Sequence, residues 1–135
     1  MIDTKIIKLA SFTSNQGLKN KFTHKSNVKN SMCGDYIKTE FIVEKSKIKS
    51  MRYEIEACVL CEASASLFSR KIINTDIYNL KNEVKKMKKF RENSKFSFSG
   101  RFKEFKKLIN KKNINRLNCV TLPMDAFLKA FKMSK

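Results

Sequence analysis

Two runs of alternating residues, 36 to 43 and 51 to 57, constrain the fold of this chain more than any other feature. In the first, Ile37, Thr39, Phe41 and Val43 share one face, with Lys38, Glu40 and Glu44 among the residues on the other. In the second, Met51, Tyr53, Ile55 and Ala57 alternate with Arg52, Glu54 and Glu56. Successive side chains of a strand point to opposite faces, so each run reads as a half-buried strand. The short polar link between them, residues 44 to 47, predicts an antiparallel hairpin. Matching the apolar faces pairs Ile37 with Ile55, Thr39 with Tyr53 and Phe41 with Met51, which puts the turn near Ser46. A slip of one residue would turn one apolar face into solvent.

The remaining patterns are mainly helical. Ile6, Ile7 and Leu9 behind an Asp3 cap predict a short helix over 3 to 12. The polar stretch from Ser14 to Ser31 reads as a loop with one strand around Phe22 to Val28. Small residues after Cys61, followed by Leu67, Phe68, Ile72 and Ile73, predict a buried helix that packs closely at its start. Asn74, Thr75 and Asp76 break it and cap another, in which Ile77, Leu80, Val84 and Met87 face inward and Lys81, Lys85, Lys88 and Lys89 form the wet side. A loop with Phe96 and Phe98 leads to a helical pattern carrying Phe102, Phe105, Leu108 and Ile109. A final helix can begin at Pro123, whose missing N–H costs nothing there.

The hairpin register also bears on chemistry. Continued past Tyr36 and Glu56, it sets Cys33, Gly34 and Asp35 across from Val59, Cys58 and Ala57 at the open end. Opposed residues have Cβ atoms about 4.5 to 5.5 Å apart, and tetrahedral zinc holds its sulfurs a little under about 4 Å apart. Two thiols and a carboxylate therefore come within ligand distance. Gly34 can adopt the positive φ that turns its neighbours toward one point. Cys58 and Cys61 stand where a strand passes into a helix, and the helix dipole there favours the thiolate, the form that binds metal and attacks sulfur. Taken alone, this C-x-x-C fits core thiols, a redox pair or part of a metal site. Cys119 lies far along the chain, so only tertiary folding can bring it in.

Composition bounds the rest. A chain of 135 residues is the length of one ordinary domain, large enough to fold without disulfides. Four cysteines without a secretory signal predict a reducing compartment, and hence a cytoplasmic protein whose thiols bind metal or do chemistry. No apolar run approaches the length of a membrane span. The net charge of +18 invites a nucleic-acid reading, but only five of the 30 basic residues are arginine. Arginine is the residue of base-edge recognition and bidentate phosphate contact, so the charge reads first as a solvated lysine surface. His24, the single histidine, reads as a surface or hydrogen-bonded residue. Ser64 and Ser66 lack a neighbouring base or a nucleophile elbow and read as packing residues.

Three stretches carry a resemblance: SMCGDYIK at 31 to 38, ACVLCEASAS at 57 to 66 and RLNCVTLPMDA at 116 to 126. In order and separation they resemble the ligand motifs of the NifU-like family of iron–sulfur cluster assembly scaffolds, which includes IscU and SufU. The 60 residues between Cys58 and Cys119 resemble the longer insertion of the SufU type. The resemblance implies an α+β fold, with a small antiparallel sheet packed against several helices and a metal site at one end. It implies a single domain over 1 to 135 with a lysine-rich helical insertion at about 75 to 112. By analogy Cys33, Cys58 and Cys119 would be thiolate ligands, with Asp35 the fourth ligand or the group that keeps the site labile. Cys61 is an addition to the three-cysteine pattern: an alternative ligand, a spare sulfur acceptor or a small buried residue.

The implied cargo is a [2Fe–2S] cluster or iron held transiently, or else zinc is bound. The implied partners are a cysteine desulfurase, which would hand persulfide sulfur to Cys119 or Cys58, and recipient apoproteins. Such a protein is not an enzyme in the ordinary sense, although the SufU type includes zinc-dependent sulfurtransferases. This chain departs from IscU in having Asn118 where a histidine precedes the last cysteine, and in lacking the nearby proline-rich chaperone motif. Ile55, Glu56 and Ala57 replace the usual Gly-x-Gly before the second cysteine. The alternative from another class is a basic nucleic-acid-binding module with a structural zinc site.

Overall fold

The computed structural model describes residues 4–30, 34–90 and 100–132. Its centre is a three-stranded antiparallel sheet of order β1-β2-β3, formed by β1 (His24–Lys29), β2 (Tyr36–Glu44) and β3 (Lys47–Glu56). The hairpin has the register that the apolar faces predict, with Ile37 opposite Ile55, Thr39 opposite Tyr53 and Phe41 opposite Met51. Lys45 and Ser46 form the turn with φ of 51° and 64°, the left-handed pair whose twist matches that of the flanking strands. The register shifts between Ile42 and Val43, where a bulge takes up one residue of β3. Glu40 departs from expectation: it lies on the polar face yet is buried. The loop before β1 covers it, and its carboxylate accepts the N–H groups of Lys19 at 2.9 Å and Asn20 at 3.0 Å. Arg52 fastens the same loop by donating to the carbonyls of Ser14, Gln16 and Gly17.

The helices are α1 (Thr4–Ala10), α2 (Val59–Lys71), α3 (Ile77–Lys88), α4 (Leu117–Val120) and α5 (Leu122–Ala130). Ile6 and Leu9 of α1 are buried as expected, but Ile7 is exposed, because neighbours one apart on a helix do not share a face. The expected Asp3 cap lies outside the described residues. Nearly all of α2 from Leu60 to Ser69 is buried, and its small residues let other backbone come close. Ser66 Oγ donates to the Phe12 carbonyl at 2.7 Å and Ser64 Oγ to that of Val120. Asp76 caps α3 by accepting from the N–H groups of Tyr78 and Asn79, and Leu80, Val84 and Met87 are fully buried. The segment Gly100–Lys107 is a 3₁₀ helix rather than an α-helix. Phe102 and Phe105 stand three residues apart, which is the 3₁₀ repeat and puts both on one buried face, and Leu108 is buried just past its end. A second 3₁₀ segment, Lys111–Arg116, leads into α4.

The main core lies between the sheet and the helices, with Phe41, Met51, Leu67, Phe68 and Phe127 at its centre. A smaller apolar cluster of Ile37, Tyr53, Cys61, Ala65, Cys119, Leu122 and Ala126 sits beside it, with Cys58 packed against both. It lies toward the open end of the hairpin, where β2 begins, β3 ends and α2 starts. Among the described residues no helix is long and apolar enough to cross a membrane.

Candidate metal centre

Three separate elements end at one point. Asp35 immediately precedes β2, Cys58 is the N-cap of α2, and Cys119 lies within α4. One ligand atom from each lies within 4.8 Å of the other two. Tetrahedral zinc would draw two sulfurs to just under about 4 Å, so the spread exceeds a bound geometry by only about 1 Å.

Each position has a local cause. Cys58 is extended, with φ −67° and ψ 162°, and its carbonyl accepts the Glu62 N–H at 3.0 Å to open α2. Its side chain makes no capping bond. Cys119 is only 6% exposed; the Ser64 hydroxyl, bound to the neighbouring Val120 carbonyl, ties α4 to α2. Asp35 is tied back to Asn30, just past the end of β1: its carbonyl accepts from Asn30 N–H at 2.7 Å, and Gly34 N–H donates to the Asn30 carbonyl at 2.9 Å. Gly34 has φ +74°, while a Cβ there would meet nothing within 4 Å. The requirement for glycine is therefore conformational rather than spatial.

Asp35 is 8% exposed, and its Oδ2 is buried without a hydrogen-bond partner among the described residues. Leaving such an atom unsatisfied costs roughly 1–3 kcal/mol. An orphaned carboxylate oxygen beside two thiols is the donor set that zinc or iron takes up, so these residues fit a metal. Arg116 lies against the same group. Its guanidinium is held above its ordinary pKa, first by the charge of Cys58, then by a hydrogen bond to Cys119 and the charges of Cys119 and Asp35, against a contrary effect of burial. The sequence reading missed this residue. The available signal was a scarce arginine, among many lysines, three positions before a candidate ligand.

Of the other expected site residues, Cys33 lies outside the described residues. Cys61 is fully buried in the small apolar cluster and is not part of the convergent trio. His24 is remote in role: its Nδ1 pairs with Thr23 Oγ1 at 2.9 Å and its ring stacks on Phe131 with centroids 4.2 Å apart. Phe102 and Phe105 are core residues, while Phe96 and Phe98 lie outside the described residues.

Solved structures share this architecture. A nitrogen-fixing NifU-like protein (N-terminal) from Brucella abortus superposes with a TM-score of 0.88 at 19% identity, over 96% of this chain and 91% of that one. A putative iron–sulfur cluster assembly scaffold protein for the SUF system from Fervidobacterium islandicum gives 0.78 at 22% identity, over 96% and 95%. Both likenesses concern the fold. No curated protein matches in sequence. The NifU-like N terminal domain matches residues 2–95, a span that includes Cys33, Asp35, Cys58 and Cys61 but stops before Cys119. Because that match takes in well over half of the chain, and the α+β fold agrees with it, the protein belongs to the NifU-like N-terminal domain family.

Proposed function

We propose that this protein is a scaffold or sulfur acceptor in iron–sulfur cluster assembly, and that Cys33, Asp35, Cys58 and Cys119 hold the metal. The observation that carries the reading is the convergence of Asp35, Cys58 and Cys119 within 4.8 Å from three separate elements. Thiolates bind iron or zinc firmly, and one carboxylate oxygen leaves a position that an incoming group can replace. The cargo is a [2Fe–2S] cluster or iron; the alternative within the same site is resident zinc serving sulfur transfer. A cysteine desulfurase supplies sulfur to Cys119 or Cys58, and recipient apoproteins take the product, in the cytoplasm. Residues 1 to 135 act as one domain, with the lysine-rich segment at about 75 to 112 as its insertion.

Anaerobic purification followed by metal and sulfide analysis tests this reading. Near-stoichiometric zinc or iron is expected, lost when Cys58 or Cys119 is changed to serine. After addition of iron and sulfide, a coloured oxygen-sensitive product identifies a scaffold. Retained zinc with stimulation of a desulfurase identifies a sulfur relay. A chain that binds no metal under these conditions contradicts both.

A further inference from the structure

Cys61 is the described thiol that lies outside the convergent trio. It sits one turn into α2, fully buried, in the apolar cluster that also holds Cys119 and against which Cys58 packs. Cys58 and Cys61 form a C-x-x-C at the start of a 13-residue helix. From helix rise and radius their Cα atoms lie about 5 to 6 Å apart, inside the range of about 4.4–6.8 Å that a disulfide spans. Cys58 Sγ lies within 4.8 Å of an Asp35 carboxylate oxygen, and Asp35 Oδ2 is buried without a hydrogen-bond partner among the described residues, which marks this place as built for a ligand. Of the described thiols Cys58 is also the most exposed, so a donor reaches it first while Cys61 waits behind it.

We infer that Cys61 is a resolving thiol that converts persulfide sulfur on Cys58 into sulfide at the site. The inference rests on the sulfur-accepting reading above. A desulfurase delivers sulfur at the persulfide level, whereas cluster building consumes sulfide, two electrons more reduced. Cys61 attacks the inner sulfur of the Cys58 persulfide. The persulfide S–S bond breaks, a Cys58–Cys61 disulfide forms, and the terminal sulfur leaves as hydrosulfide with the electron pair of the broken bond. Persulfide plus thiol thus gives disulfide plus hydrogen sulfide, with atoms and electrons balanced. A small dithiol or a dithiol protein returns Cys58 and Cys61 to thiols by exchange.

The test uses the full chain, reduced, freed of metal and reductant, and kept without oxygen. It is exposed briefly to inorganic polysulfide, desalted, alkylated and analysed by peptide mass. Wild type is expected to carry a Cys58–Cys61 disulfide and no added sulfur. Cys61→Ser, and Cys61→Ala as the variant that keeps the cluster apolar, are expected to retain one added sulfur on Cys58 and to lose the Cys58–Cys61 link completely, having no second thiol to form it. Persulfide retained equally by wild type and variants, a disulfide joining Cys58 to another cysteine, or no sulfur on Cys58 in any chain overturns the inference. A parallel arm with a cysteine desulfurase and cysteine separates the two levels. Sulfur taken from polysulfide but not from the enzyme removes the desulfurase reading and leaves the Cys58–Cys61 chemistry standing.

Discussion

Asp35 carries an opposition between stability and binding. Its buried Oδ2 lacks a partner among the described residues, so the metal-free protein bears a desolvation cost that a bound ion would remove. Arg116 offsets part of that cost through its charge. Asp35→Ala is therefore expected to leave the chelator-treated protein as stable as wild type, or up to about 1 kcal/mol more stable. The same change should weaken zinc binding by at least roughly tenfold. Urea unfolding with and without zinc measures both effects, and a variant destabilised equally in the two conditions would assign Asp35 a purely structural role. Arg116 shows the limit of reading residues singly: nothing in local sequence says that a side chain from a 3₁₀ lead-in will lie over a cysteine 58 positions earlier, since that contact depends on the folded path of the chain.

Elements, by contrast, were largely legible. Period-two alternation and one polar link determine the hairpin and its register, because a one-residue slip would expose either Phe41 or Met51. That register is also what brings Asp35 beside the start of α2. Three features escaped the reading. Glu40 is buried because a distant loop supplies its donors, and the bulge between Ile42 and Val43 has no compositional mark. The 3₁₀ geometry of Gly100–Lys107 was present in the spacing of Phe102 and Phe105 but resembles a short α-pattern. The serines of α2 pack closely, as their spacing without a neighbouring base predicts, and Ser64 and Ser66 each donate to a carbonyl outside the helix. Ser64→Ala should destabilise the fold by about 1–3 kcal/mol, since it leaves the buried Val120 carbonyl without that donor. If Ser64 also fixes α4 against α2, the variant should bind zinc more weakly than its loss of stability alone accounts for. Unchanged zinc affinity in Ser64→Ala would mean that Cys119 is held by packing alone.

At the scale of the whole molecule the charge of +18 and the buried site pull toward different functions. Around the buried Leu80, Val84 and Met87 of α3, Lys86 is exposed and Lys81 and Lys85 are partly exposed, which is the arrangement of a solvated face; Lys88, expected on that wet side, instead turns in to pair with Asp125 of α5. Binding to DNA or RNA is therefore expected to be weak and to fall steeply between about 50 and 200 mM salt, without sequence preference. Tight binding that persists at the higher salt and needs the α3 lysines would favour a nucleic-acid module instead. The family and fold are consistent across sequence and structure, while the ligand set depends on the convergence of Asp35, Cys58 and Cys119. X-ray absorption at the metal edge of anaerobically purified protein tests that convergence most directly. The account predicts, for zinc, sulfur neighbours at about 2.3 Å with an oxygen at about 2.0–2.2 Å, and loss of one sulfur neighbour in Cys119→Ser. A shell of nitrogen and oxygen alone, or a sulfur shell that Cys119→Ser leaves unchanged, would contradict it.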